Sequence, residues 1–134
     1  MINRKSRTIE LRSERGQAMT EFALALPVLA LLLFAVIQFG IVFNNFVTLT
    51  DATRAGARKG AVARRLSDPN GACVGAVRSS ATDLKSGSLT ATCTSTWQPG
   101  ADVKVTATYP YQISLLGMVV KSGRLSSTTT ERVE

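Results

Sequence analysis

Phe22-Ala23-Leu24-Ala25-Leu26-Pro27-Val28-Leu29-Ala30-Leu31-Leu32-Leu33-Phe34-Ala35-Val36-Ile37-Gln38-Phe39-Gly40-Ile41-Val42-Phe43 contains no charged residue, and the uncharged run continues to Thr50. Gln38 is the one polar residue of Phe22–Phe43, and Phe22–Ile37 is apolar throughout, Pro27 included. A helix of this length extends ~33 Å, enough to cross a hydrocarbon core of ~30 Å. The run exceeds the ~7–15 residues of a secretory h-region and has no A-x-A site at its C-terminal end. Residues 22–43 therefore read as a retained membrane span. A plain cytosolic globule is a poor fit to a chain of 134 residues with this much of it withdrawn from any soluble core.

Before the span, Arg4, Lys5, Arg7, Arg12 and Arg15 against Glu10 and Glu14 place a net charge of +3 in residues 1–16, out of +7 for the whole chain. No aromatic residue is interleaved with these arginines, so the segment reads as a flexible topogenic leader rather than a nucleic-acid patch. After the span, residues 44–65 contain no proline and extend the helix to about residue 65. A stripe of Phe43, Phe46, Val47, Thr50, Arg54, Ala57 and Ala61 starts bulky and becomes small. Ala52, Ala55, Gly56, Gly60 and Ala63 add small side chains that allow close approach of a sheet or a second helix. Ser67-Asp68-Pro69-Asn70-Gly71 is a turn cluster that ends this helix.

Residues 66–134 read as a small α+β domain. Ala72–Lys85 suits a short helix stopped by Gly87. Leu89–Thr94 and Val103–Tyr109 alternate and are rich in Thr and Val, as strands are, with Trp97–Ala101 as a hairpin connection. Pro110 is expected to end the second strand, Ile113–Val120 is ambiguous in type, and Arg124–Val133 reads as a third strand. The fold class is α+β: one long N-terminal helix on a small antiparallel sheet, with one short extra helix.

The chemistry available is thin. With no His, two Cys and nine acidic residues, His-based zinc sites and triads are excluded, and Asp68, Asp83 and Asp102 are too scattered for acid–base work. No cofactor is implied. Cys73 and Cys93 are twenty positions apart, without further ligands for a metal and without C-x-x-C spacing. A disulfide clamping the short helix to the first strand is the sensible use, with two separate buried thiols as the other reading. A bridge of this loop size contributes ~3 kcal/mol and would place the domain in an oxidising compartment. Charge alone does not orient the span. Arg54, Arg58, Lys59, Arg64 and Arg65 against Asp51 make its far flank +4, close to the leader.

Gly16-Gln17-Ala18-Met19-Thr20-Glu21-Phe22 joins leader to span and puts a carboxylate directly against sixteen apolar residues. Left unpaired in lipid, such a charge costs ~2.5–3.5 kcal/mol at the midplane and less near the interface. An interfacial Glu facing headgroups is one reading. The other is cleavage after Gly16, which creates an amine at Gln17 that a neighbouring chain's carboxylate can neutralise in low dielectric.

The basic leader, the Gly, the Glu five residues on, the aromatic after it and the hydrophobic helix resemble a class III (type IV prepilin) leader. Gly16–Leu29 followed by Ile37-Gln38-Phe39-Gly40 is similar to the TadE-like pseudopilins of tight-adherence (Tad/Flp) pilus systems, as is, more loosely, the ending Leu125–Glu134. Gln38 stands where relatives often carry an acidic residue. The resemblance implies a pilin-like fold: a leader over 1–16, a long helix over 17–65 and an extracytoplasmic domain over 66–134. It implies that Gly16 precedes the cut, that Gln17 is the mature N-terminus, and that Glu21 and Phe22 serve recognition and assembly. Pro27, which removes the helix bond to the Ala23 carbonyl, is either a kink or a neutral residue in the span.

The resemblance further implies a structural, non-catalytic subunit of the bacterial inner membrane, single-pass, with its C-terminal domain outside, or extracellular in a pilus. Its partners would be a prepilin peptidase, other pilins and pseudopilins, the inner-membrane platform and the lipid bilayer. The role would lie in pilus assembly, adhesion, biofilm formation or secretion. Nucleic acid would be a partner only if the pilus served DNA uptake; the mature +4 is equally that of an ordinary surface. The alternative is a single-pass protein that never assembles and whose small exported domain binds an envelope partner or ligand.

Overall fold

The computed structural model describes residues 6–134, with side chains from Gly16 onward. The side chains of the basic leader, expected to act as a topogenic flank, lie outside the described residues. The chain divides into two compact units, Met1–Ile37 and Gln38–Glu134. One helix, α1 (Ser6–Ala61), enters both. It starts inside the stretch expected to be a flexible leader and continues through Pro27. Over Gly16–Ala61 α1 is long and apolar enough to cross a membrane, and none of the side chains in its most apolar stretch is buried.

The second unit holds the rest of the secondary structure. After α1 come a 3-10 turn at Ala63–Arg65, then α2 (Pro69–Ser80), β1 (Thr90–Thr94), β2 (Asp102–Leu115) and β3 (Met118–Arg132). The strands form an antiparallel sheet in the order β1-β2-β3. With the long helix and the short one, this is an α+β fold. Val103, Val105 and Ala107 alternate along β2 and are fully buried against Leu49, Ala52, Ala57, Cys73 and Val77 of the two helices. Small residues let the elements meet closely. A Cβ on Gly56 would overlap Val77, and one on Gly60 would lie 2.9 Å from Val103.

Several elements depart from the sequence expectation. The long helix gives way after Ala61 rather than near residue 65, where the chain tightens into the 3-10 turn with the Leu66 N–H donating to the Ala63 carbonyl at 2.9 Å. Glu134 donates its N–H to the Ala61 carbonyl at 3.0 Å, satisfying one of the acceptors a helix end leaves open. The turn cluster at 67–71 not only ends one helix but starts the next. Asp68 is the N-cap, its carboxylate accepting from the Gly71 N–H at 2.8 Å, and Pro69 occupies the first turn where no N–H is needed. Helix α2 therefore begins at Pro69 and stops at Ser80, not Lys85.

Pro110 does not end β2. Strand β1 reaches only to the Thr90–Thr108 pair, so at Pro110 β2 has a neighbour on one side, the setting in which a strand tolerates proline. The ambiguous segment Ile113–Val120 is the tip of the β2–β3 hairpin. Leu116 (φ 51°) and Gly117 (φ 82°) make the two-residue turn with both central residues at positive φ. Strand β3 accordingly starts at Met118 rather than Arg124.

Candidate functional site

The residues singled out for processing and assembly lie on one helical segment. Gly16 is exposed, and a Cβ placed on it would meet nothing within 4 Å. A helix-interior glycine costs ~0.5–1 kcal/mol relative to alanine. Among the described residues nothing packs where its side chain would stand. Four residues on, the Thr20 hydroxyl donates to the Gly16 carbonyl at 2.9 Å. Gln17 and Glu21 meet in the same way, the Gln17 amide donating from Nε2 to Glu21 Oε1 at 3.1 Å. Both side chains are exposed, and Glu21 has no cationic partner among the described residues. Phe22 is 63% exposed and Pro27 lies inside the uninterrupted helix. The i, i+4 spacing that brings Gln17 and Glu21 together follows from helix geometry alone.

Cys73 and Cys93 are bonded, with 6.4 Å between their Cα atoms, and both are buried. The bridge ties α2 to β1, beside a second link in which Asn70 Nδ2 donates to the Cys93 carbonyl at 3.3 Å. Among the described residues no group of His, Cys, Asp and Glu could hold a metal ion.

The bulky-to-small stripe and the packed side of α1 coincide only in part. Ala57 and Ala61 are buried, but Phe43, Phe46, Val47 and Arg54 are exposed and line a shallow cleft with Thr50 and Asp51. The side of α1 that meets the sheet is instead Leu49, Ala52, Thr53, Gly56, Ala57 and Gly60. Ala52, Gly56 and Gly60, expected from their small side chains to allow close approach, lie on that side.

Thr53 was not singled out from the sequence. It is fully buried, and its hydroxyl lies 2.8 Å from the Thr50 carbonyl, 3.2 Å from Ser127 Oγ and 3.1 Å from Thr129 Oγ1. The available signal was the pairing of a helix threonine with hydroxyls at every second position of β3. That signal has no meaning until the strand is laid on the helix.

Comparison with protein families adds one finding. Residues 16–58 match the family model described as TadE-like protein. The matched stretch runs from the glycine before Gln17, through the apolar span, to the part of α1 packed on the sheet. The match points to a pilin-like structural protein associated with Tad pili, and the one apolar N-terminal helix fits a single-pass membrane protein. Neither the curated proteins nor the solved structures yield a match.

Proposed function

We propose that this chain, TadE-like over residues 16–58, is a minor pilin or pseudopilin of a Tad-type pilus or secretion system. α1 anchors it in the inner membrane through residues 22–43, with the disulfide-bonded domain on the outer side. A prepilin peptidase cuts between Gly16 and Gln17, and the trimmed helix joins or primes a filament with other pilins on the inner-membrane platform. Adhesion, biofilm formation or secretion is the downstream use. The subunit is structural and performs no catalysis.

The observation that carries this reading is Gly16. A glycine against which no described residue packs, at the junction between a basic leader and a TadE-like span, suits recognition of a small residue by something outside the chain. The Gln17–Glu21 contact supports the second step. Cleavage converts the Gln17 backbone nitrogen into an ammonium beside the carboxylate. Helices gathered in low dielectric then hold each carboxylate near an ammonium, its own or a neighbour's, and neither charge stays unpaired. The buried Cys73–Cys93 bridge supports an oxidising compartment for the domain.

The test is peptide mass spectrometry of the N-terminus of membrane-extracted protein. A mature chain starting at Gln17 is expected, and Gly16→Leu should leave uncut precursor in the membrane. An intact Met1 terminus on functional protein would overturn the pilin reading in favour of a single-pass protein that does not assemble.

A further inference from the structure

The β2–β3 hairpin outruns the sheet. Beyond the Thr90–Thr108 pair β1 is gone, and residues 109–125 continue as a two-stranded ribbon. Its end is apolar and uncovered: Leu116 is 73% exposed, Met118 71%, Val119 58% and Val120 63%. No charged residue occurs from Tyr109 to Val120, and the first charges after the tip, Lys121 and Arg124, are exposed and basic. Cross-strand partners share a face of a ribbon. Leu115 with Met118 therefore lies on one face and Ser114 with Val119 on the other, so apolar side chains project from both. Below them sits Tyr111, laid over Gly123, where an added Cβ would be 2.9 Å from its ring. A tyrosine so placed favours the headgroup level of a bilayer.

The packing within Gln38–Glu134 sets the ribbon's direction. Gly60 lies against Val103, Gly56 against Val105, and Thr53 against Ser127 and Thr129. As numbers rise along β2 they fall along α1, so the hairpin tip points toward the end of this unit at Gln38. The reaches match. Ten strand residues from Val105 to Leu115 cover ~33 Å, and eighteen helical residues from Gly56 back to Gln38 cover ~27 Å. At that end α1 itself exposes Phe39, Ile41 and Phe43, the last residues of the apolar run.

We infer that the hairpin tip is a second membrane contact: Leu115–Val120 dips past the headgroups into the outer acyl-chain region of the leaflet from which α1 emerges, with Lys121 and Arg124 against lipid phosphates. The inference rests on the reading of α1 as a membrane span. A lipid interface, unlike a protein partner, wets both faces of a narrow ribbon, and the two cations complement anionic lipid. The contact holds the domain against the bilayer surface by a point other than the helix.

The full-length chain, reconstituted in phosphatidylcholine vesicles with and without phosphatidylglycerol, tests this with an environment-sensitive NBD label on Met118→Cys. Ile41→Cys reports the span, and Asp102→Cys, at the other end of β2, reports the aqueous side. Expected are blue-shifted emission and quenching by a headgroup-proximal spin-labelled lipid at positions 41 and 118, neither at 102, and a stronger effect at 118 with the anionic lipid. Adding Val119→Asp should abolish the signal at 118 and leave that at 41. A lipid-exposed label at 41 with a water-exposed one at 118 overturns the hairpin contact alone. A water-exposed label at 41 overturns the membrane reading beneath it. A label at 118 that is shielded in detergent and crosslinks to another copy assigns the tip to a subunit interface and overturns the proposal.

Discussion

Between Phe22 and Phe43, α1 carries mostly large apolar side chains and buries none of them; between Leu49 and Ala61 it carries small ones and buries a continuous face. The backbone is the same helix in both stretches. Side-chain size decides what each can be next to. Leu, Phe and Val around the whole circumference leave no close approach for another backbone and present a surface that suits lipid tails. Gly56 and Gly60 bring α1 within contact of Val77, Val105 and Val103, a distance at which only an ordered protein neighbour fits. Composition along a helix thus encodes a change of solvent that helical propensity does not register.

Changes at Glu21 should break the comparison most completely, because they act on the first stretch through assembly and leave the second untouched. Glu21→Ala removes a costly charge from the edge of the span, so insertion should be equal or better. Glu21→Gln keeps volume and hydrogen bonding but cannot neutralise an ammonium. Both variants should be processed and membrane-resident yet absent from filaments, as read by crosslinking to pilus partners. Normal assembly of both would make Glu21 an interfacial residue only, and loss of processing in both would move its role to peptidase recognition.

A matched pair of glycines sharpens the contrast. Gly56→Leu forces a side chain into Val77 and Val105 and should destabilise the domain by ~1–3 kcal/mol, the usual range for overpacking. Gly40→Leu, where a Cβ meets nothing within 4 Å, should leave the melting of the domain unchanged. Thermal unfolding of the detergent-solubilised chain measures both, and equal effects would mean that the two stretches do not differ as described. The smallest effect belongs to Thr53→Val, which keeps the shape but deletes the hydroxyl held by Ser127 and Thr129. About 1 kcal/mol is expected, the net worth of such hydrogen bonding, because the half-buried β3 hydroxyls can turn to water. A loss above that would identify Thr53 as the register pin between helix and sheet.

Legibility tracked the range of the forces involved. The long helix, the short one and the strand character of residues 90–94 and 103–109 were readable because periodicity and propensity are local. Asp68 and Pro69 were read as a stop although they also carry a helix-start pattern. The same residues serve both purposes, and only the Asp68–Gly71 bond distinguishes them. Pro110 looked like a strand end because its missing N–H matters in a paired strand, and nothing local says that β1 has already stopped. Leu116-Gly117 lacks the usual Asn-Gly of a tight turn, so the hairpin tip stayed ambiguous. Gly16, Gln17, Glu21, Phe22 and Pro27 could be singled out because they form a linear pattern, and the Gln17–Glu21 contact adds only what helix spacing already implies.

By itself the sequence determined that an apolar run of membrane length follows a basic segment, that an α+β region succeeds it, and that two cysteines stand ready to be joined. Each of these is a property of neighbouring residues or of composition. The tertiary structure alone decided which face of α1 is core, that Thr53 is buried among β3 hydroxyls, and that an uncovered apolar hairpin points toward the Gln38 end of the domain. Those depend on residues from about twenty to more than seventy positions apart meeting in space, and no local preference carries that information.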